Sequence, residues 1–404
     1  MDSFATRVFL ALNLVFLNTS LYSQIVATNE SETIQTEVEA RRIAGGSHLV
    51  IHNGHIHRST IGGYSDLDKK TPFNEKTIVR IYSMSKPITS VAAMILWEKG
   101  KFQLDDPVSK YIPAFRNMKV LARTENGFEL VPPKRDLSVR DVFRHTTGYS
   151  YGGEASVKKY YEQENLKYHG PAGMFVPDMT IEQAAEALAR IPALHHPGEH
   201  FTYGFSTDLL GRLIEVWSDQ PLNEFMEQSI FQPLDMVDTG FKVPAEKRNR
   251  FSSCHTRNKN NLVVIDPSET SPFCNGFQFL SGGGGLVSTQ SDYANFCTML
   301  VNGGTFHEKQ LLKEDTLKLM FEDQLKDITS PVFQFGLGFA INEITIGKDK
   351  QQRKALEYSW GGYASTDFRI VPSEKTVQIF LQQLVPSSHD LAHRQINAAY
   401  VELP

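Results

Sequence analysis

Cysteine is scarce: three residues, Cys254, Cys274 and Cys297, in a chain of 404. Three are too few for a disulfide framework, and no Cys/His spacing suited to zinc accompanies them, so the sequence gives no expectation of a metal site or a cofactor. Cys254 and Cys274 flank one loop-like stretch and can pair in an oxidising compartment, whereas Cys297 falls in a helical pattern and reads as a buried free thiol. Charge of one sign is lacking too. Lys and Arg number 41 against 46 Asp and Glu, a net charge of −5, which leaves no basic footprint for nucleic acid or an anionic membrane. There is no internal repeat, heptad pattern or low-complexity segment. Long apolar runs are absent except for Val8–Leu17. That run suits the core of a signal peptide better than a membrane span, with Ser23-Gln24 as a cleavage point. The expectation is a signal peptide over 1–23 and a secreted or periplasmic protein with no stable membrane insertion. An uncleaved N-terminal anchor is the alternative, and Asn29-Glu-Ser31 is a glycosylation acceptor if the host is a eukaryote.

What is present begins with Ser83 and Lys86, spaced Ser-x-x-Lys inside Ile81-Tyr-Ser-Met-Ser-Lys-Pro87. Residues three apart on a helix share a face. A lysine one turn from a serine can take the hydroxyl proton and make it a nucleophile. The unpaired N–H groups of a helix start favour negative charge developing on a bound acyl group. The motif alone is weak, and Ser156-Val-Lys-Lys159 also matches it. Context separates the two. Thr77–Tyr82 reads as an extended run, and Pro87–Gly100 as a helix apolar on nearly every side, which predicts a buried helix over 83–99. Pro87 suits the first turn and Gly100 the stop. Ser156 precedes a run of Lys, Tyr and Glu that reads as surface.

The length exceeds that of an ordinary single core, so two subdomains or one large insertion are expected. Asn53-Gly54 between β-prone runs predicts a hairpin over 48–64. From about 105 to 285 the text reads as helical and loop-rich, with Ser138 capping a short helix, an amphipathic helix at 180–190 and an apolar one at 208–218. A helix at 291–302 and strands at 335–345, 366–371 and 376–384 follow. Strands at both ends with helices between predict a sheet built from both parts of the chain.

Tyr203, after the Pro197-Gly198 turn, and Trp360-Gly361-Gly362-Tyr363, before a strand-like run, are further candidates. Each also reads as core packing or a plain turn. Paired glycines permit close backbone approach, and a following N–H can serve an oxyanion hole. Two motifs read as decoys. Gly148-Tyr-Ser-Tyr-Gly152 matches a nucleophile elbow, but the segment before it has helical rather than strand spacing. His196-Pro-Gly-Glu-His200 matches a metalloprotease pattern, but Pro197-Gly198 forbids the helix it needs.

Ser83/Lys86, Tyr203 and Trp360-Gly-Gly occur together with Leu104-Asp-Asp-Pro-Val, His145-Thr-Thr-Gly148, Ser206-Thr-Asp-Leu-Leu-Gly and Ser281-Gly-Gly-Gly-Gly-Leu-Val-Ser-Thr289. With these blocks in this order, residues 40–385 resemble the serine β-lactamase-like superfamily, and more narrowly its esterase branch related to class C β-lactamases, the family VIII carboxylesterases. The resemblance implies an α/β (α+β) fold: an antiparallel sheet flanked by helices from residues 40–105 and 285–404, with a helical subdomain inserted over 106–284. It implies an acyl-enzyme on Ser83, a proton relay shared by Lys86 and Tyr203, an oxyanion hole from the N–H groups of Ser83 and Tyr363, and a substrate pocket at Trp360, Gly361, Gly362 and Phe205. Two departures bear on the substrate. Phe205 stands where the second motif often ends in Asn, and Trp360 stands where β-lactamases and peptidases carry a cation. Both favour an uncharged ester. An acyltransferase, a D-amino-acid peptidase or β-lactamase, and a non-catalytic binding protein on the same scaffold are the alternatives.

Overall fold

The computed structural model describes residues 33–125, 127–167, 179–259, 261–328 and 333–404. The expected signal segment and Asn29 lie outside them. Eight strands form the main sheet: β1 (Gly45–His52), β2 (His55–Asp66), β3 (Thr71–Pro72), β4 (Gln334–Phe335), β5 (Ala340–Ile346), β6 (Arg353–Gly362), β7 (Thr366–Val371) and β8 (Thr376–Gln382). Their order is β4-β5-β6-β7-β8-β1-β2-β3, with every neighbouring pair antiparallel. Strands from early and late in the chain therefore make one sheet, as expected. The β1–β2 hairpin turns on Asn53 and Gly54, at φ 51° and 78°, the two positive values such a two-residue turn needs.

Seven helices position the rest. On the outer face of the sheet lie α1 (Ile34–Glu39) and α7 (Asp390–Glu402), joined to it by an apolar cluster of Ile34, Ile346, Phe380, Leu391 and Ile396. On the inner face lie α2 (Ser85–Glu98) and α6 (Gln290–Val301). Every residue of α2 from Ser85 to Leu96 is buried, which is why its sequence is apolar all round. Its other side packs on α5 (Ser206–Ser218), with α3 (Val139–Phe143) and α4 (Ile181–Arg190) against α5 in turn. Ser138 and Thr180 close capping boxes on α3 and α4, where the sequence places those helix starts.

Several expectations need correction. The buried helix is α-helical from Ser85, and Ser83 lies in a 3-10 turn just ahead of it. The extended run before it shrinks to Val79–Arg80, because Tyr82 takes φ 44°. The strand at 335–345 breaks at Gly338, φ 102°, into β4 and β5. The stretch 105–285 holds two hairpins as well as helices, Val120–Thr124 with Gly127–Val131 and Cys254–Asn258 with Asn261–Asp266. Cys254 and Cys274 are both buried free thiols rather than a pair, and Cys297 is a buried free thiol as expected. No helix among the described residues is long and apolar enough to cross a membrane.

Candidate active site

The turn that carries Ser83 is anchored from behind. Three residues earlier, Arg80 is fully buried, with its guanidinium 2.7 Å from Asp266 and donating to Ser252 O at 2.6 Å. Its backbone is held by the Gln383 side chain, which accepts from Arg80 N at 3.1 Å and donates to Arg80 O at 3.0 Å. An uncompensated guanidinium in this position would be strongly destabilising, so the ion pair fixes the register of the segment. Tyr82, with its positive φ, then throws the chain into the turn, and Ser83 emerges partly exposed between the buried Tyr82 and Met84. Non-glycine residues in this conformation concentrate at functional sites.

Lys86 is 2% exposed. Its Nζ lies 3.2 Å from Ser83 Oγ, 3.1 Å from Tyr151 OH and 2.6 Å from Gly283 O. That carbonyl is placed by the Gly282–Gly285 run, which wraps α2. Gly282 O accepts from Thr89 at 2.7 Å, and Asp208 in the first turn of α5 takes hydrogen bonds from Ser281 Oγ at 2.5 Å and Gly283 N at 3.1 Å. A Cβ on Gly283 would stand 2.8 Å from Asp208 Oδ2, so only glycine lets the backbone come this close.

Aromatic rings enclose the amine. Nζ lies 4.6 Å from the ring centroid of Tyr203, whose hydroxyl accepts from Trp360 Nε1 at 3.3 Å. Tyr151 meets Tyr203 edge-on at 5.6 Å, and Phe335 meets Trp360 at 5.3 Å. His145, behind Tyr203 at 5.0 Å, is fully buried, and burial, with Lys86 acting in the same sense, holds its imidazole well below the usual range. It is therefore neutral at pH 7. The strand β6 brings Trp360, Gly361 and Gly362 to the same place. A Cβ on Gly362 would collide with the Ile81 carbonyl and the Thr366 hydroxyl, which ties the double glycine to the close approach of β6 to the Ser83 turn. Tyr363, next in the chain, meets Tyr82 edge-on at 5.9 Å, and burial pushes its phenol up to about 12.

Ser83, Lys86, Tyr203 and Trp360 thus converge, with Gly361, Gly362 and Tyr363 at the end of the adjoining strand. Phe205 lies one layer back: it is buried and packs on Tyr151 at 5.2 Å and Tyr161 at 6.1 Å. The decoys fall away. Ser150 Oγ donates to Glu154 and accepts from Gly152 N, and helix α3 precedes it. The His196–His200 segment is a turn around Gly198, φ 85°, with His196 Nδ1 accepting from Lys134 N. Ser156 is half-buried and Lys159 exposed, away from these groups. The residue that the sequence reading missed is Tyr151, inside the dismissed Gly-Tyr-Ser-Tyr-Gly. The signal was an aromatic residue just after the family-like block His145-Thr-Thr-Gly148.

Known proteins show the same arrangement of chain. The Mycobacterium tuberculosis protein Rv1367c is 30% identical over 345 residues, covering 80% of this chain and 82% of its own. Esterase EstB of Burkholderia gladioli is 27% identical over 227 residues, 56% of this chain and 54% of its own. The solved structures of EstCE1 and of LovD from Aspergillus terreus share the fold, with TM-scores of 0.75 and 0.74 at 24% and 20% identity. Each covers 91% of this chain, and 96% and 95% of its own respectively. A family model described as Beta-lactamase matches residues 31–402, nearly all of what the structure describes. The chain belongs to the beta-lactamase family of serine hydrolases, whose members include esterases, acyltransferases and carboxypeptidases.

Proposed function

We propose that the protein is a serine carboxylesterase acting on small uncharged esters through an acyl-enzyme at Ser83. The observation that carries this reading is the 3.2 Å contact between Lys86 Nζ and Ser83 Oγ inside an aromatic enclosure. Lys86 Nζ donates to Ser83 Oγ, Tyr151 OH and Gly283 O. An amine that has given up one proton keeps two N–H groups, enough for Gly283 O and Tyr151 OH, and would turn its lone pair to Ser83 Oγ to accept the proton as the oxygen attacks the acyl carbonyl. The backbone N–H groups of Ser83 and Tyr363 receive the oxyanion. Tyr203, steadied by Trp360, gives its phenol proton to the departing alkoxide and takes one back from the Lys86 ammonium, and water then repeats the sequence to release the acid. Trp360 supplies an apolar wall with an N–H donor already committed to Tyr203, and offers no charge to a β-lactam or peptide carboxylate.

The test is turnover of short-chain p-nitrophenyl esters by the purified protein. Ser83→Ala is expected to abolish it, and unchanged activity in that variant would sink the assignment. A chromogenic cephalosporin in the same panel is expected to stay intact. Acyl transfer is the second reading, favoured by the methylbutanoyltransferase mlcH of Penicillium citrinum, which is 27% identical over 259 residues, 63% of this chain and 58% of its own. Adding an alcohol acceptor separates the two: a transferase shifts product from acid to new ester, and an esterase does not. Absence of fluorophosphonate labelling at Ser83 would instead favour a binding protein.

A further inference from the structure

Behind the candidate active strand, on the outer face of the sheet, three metal-ligating side chains meet that the acyl-transfer chemistry does not use. Asp367 lies on β7, opposite Gly361 of β6 in the register. His389 immediately precedes α7, and His393 is one turn further on, with its backbone N–H bonded to His389 O at 2.9 Å. Asp367 Oδ2 is 3.5 Å from His389 Nδ1 and 3.7 Å from His393 Nε2, and the three donor atoms all lie within 4.8 Å of one another.

A further observation points to a cation. The His389 side chain is 10% exposed, and its buried Nδ1 has only the 3.5 Å approach to Asp367 Oδ2, which falls short of a well-formed hydrogen bond. Such an atom is costly to leave unpaired. Asp367 and Glu357 share one guanidinium, that of Arg369, which lies 2.7 Å from a carboxylate oxygen of each.

We propose that Asp367, His389 and His393 form a binding site for one divalent transition-metal ion of the zinc class, with the remaining coordination position open to solvent beside the part-exposed His393. Tetrahedral zinc puts its nitrogen and oxygen ligands about 3.3–3.5 Å apart. The two short distances are already close to that, and His393, 40% exposed, needs only a small swing of its ring. Arg369 fixes the carboxylate orientation, the role that outer partners play at metal centres. Asn342 and Tyr400 hold Glu357 in turn, at 3.2 and 2.7 Å. The His-x-x-x-His spacing had no force in the sequence, because its third ligand, Asp367, comes from β7 and reaches the helix start only in the fold.

The position gives the ion a structural consequence. A Cβ on Gly361 would be 2.8 Å from His389 Cε1, so the imidazole packs directly on the backbone that leads from Trp360 to Tyr363. A metal here would tie the start of α7 to β7 and brace that strand from behind.

The experiment is a calorimetric titration with Zn2+ of untagged, chelator-stripped full-length protein, together with His389→Ala, His393→Gln and, as a control, the exposed His307→Ala. One ion per chain is expected, with affinity lowered about tenfold or more in each of the first two variants and unchanged in the third. Zn2+ is expected to raise the Tm of the wild type and not of His393→Gln, and Co2+ to give the visible absorption of a low-coordinate nitrogen–oxygen site. No binding by the wild type, or equal binding by His393→Gln, would overturn the proposal. His393 lies at the rim, so that variant is expected to fold even if His389→Ala does not.

Discussion

Tyr151 is one of three partners of the Lys86 amine, and its loss is testable without disturbing the others. Tyr151→Phe keeps the ring contacts with Tyr203 and Phe205 but removes the oxygen 3.1 Å from Nζ. The expected result is a fall in kcat of roughly ten- to a hundredfold on a p-nitrophenyl ester, with KM little changed, since a proton-relay partner contributes on this order; an unaltered kcat would return Tyr151 to a packing role. Gly362→Ala addresses the other wall. Its Cβ would collide with Ile81 O and Thr366 Oγ1, so β6 must move off the Ser83 turn. Ester turnover is expected to drop by more than about tenfold while far-ultraviolet circular dichroism stays native, because a displacement of about 1 Å near reacting groups can cost a hundredfold. Ser83 and Lys86 were legible in the sequence because their Ser-x-x-Lys spacing stands at the mouth of an apolar helix, a context that Ser156 lacks, although Ser83 itself sits in the 3-10 turn ahead of that helix. Tyr203 and Trp360 needed the wider resemblance. Tyr151 was hidden because its reach to Lys86 depends on a turn folded by Ser150, Glu154 and Gly152, which only long-range packing sets against α2.

The element that organises the amine is the glycine run after Ser281, and α5 organises that run through Asp208. Asp208→Asn keeps an oxygen like the Oδ1 that accepts from both Ser281 Oγ and Gly283 N, but gives up its charge. A loss of about 2 kcal/mol in urea unfolding is expected, as for a buried charge-assisted bond, with a larger proportional loss of ester turnover because Gly283 O no longer holds Lys86. Turnover equal to that of the wild type would show that the run is placed without Asp208. At this scale the long periodic elements were readable: α2, α4, α5 and the first hairpin all fall within a few residues of their expected limits. The short ones were not. Asn126-Gly127 carries the same hairpin signal as Asn53-Gly54, and a helical reading of 105–285 passes over it. The strand pair Cys254–Asp266 takes its place by joining Leu384–Val385 in parallel, a partner that no local pattern announces.

The whole molecule buries several histidines in neutral form, and that sets its response to acid. His48 on β1 bonds Gln378 on β8 at 3.0 Å, and burial lowers its imidazole from 6.5 to about 4. The unfolded chain takes up a proton near 6.5, which the folded chain resists until about 4, so stability is full above 6.5 and falls as pH drops through that window. His48 alone contributes about 3 kcal/mol to the fall, and His145 and His255, also held low by burial, act in the same direction. Urea midpoints at pH 7.5 and pH 5 are expected to show the drop, and His48→Gln to flatten it; an identical slope in the variant would exclude His48 as a contributor. The same pairing has a consequence for how the protein is made. His48 and Gln378 lie 330 residues apart, and β8 sits between β7 and β1 in the middle of the sheet. A ribosome releases β1 to β3 early and β8 last, so the growing chain carries a bare, hydrogen-bond-hungry strand edge for most of its synthesis. During that time Ser83 and Lys86 exist without the β6 backbone that faces them, so under the proposed function the nascent polypeptide holds its nucleophile long before it can use it.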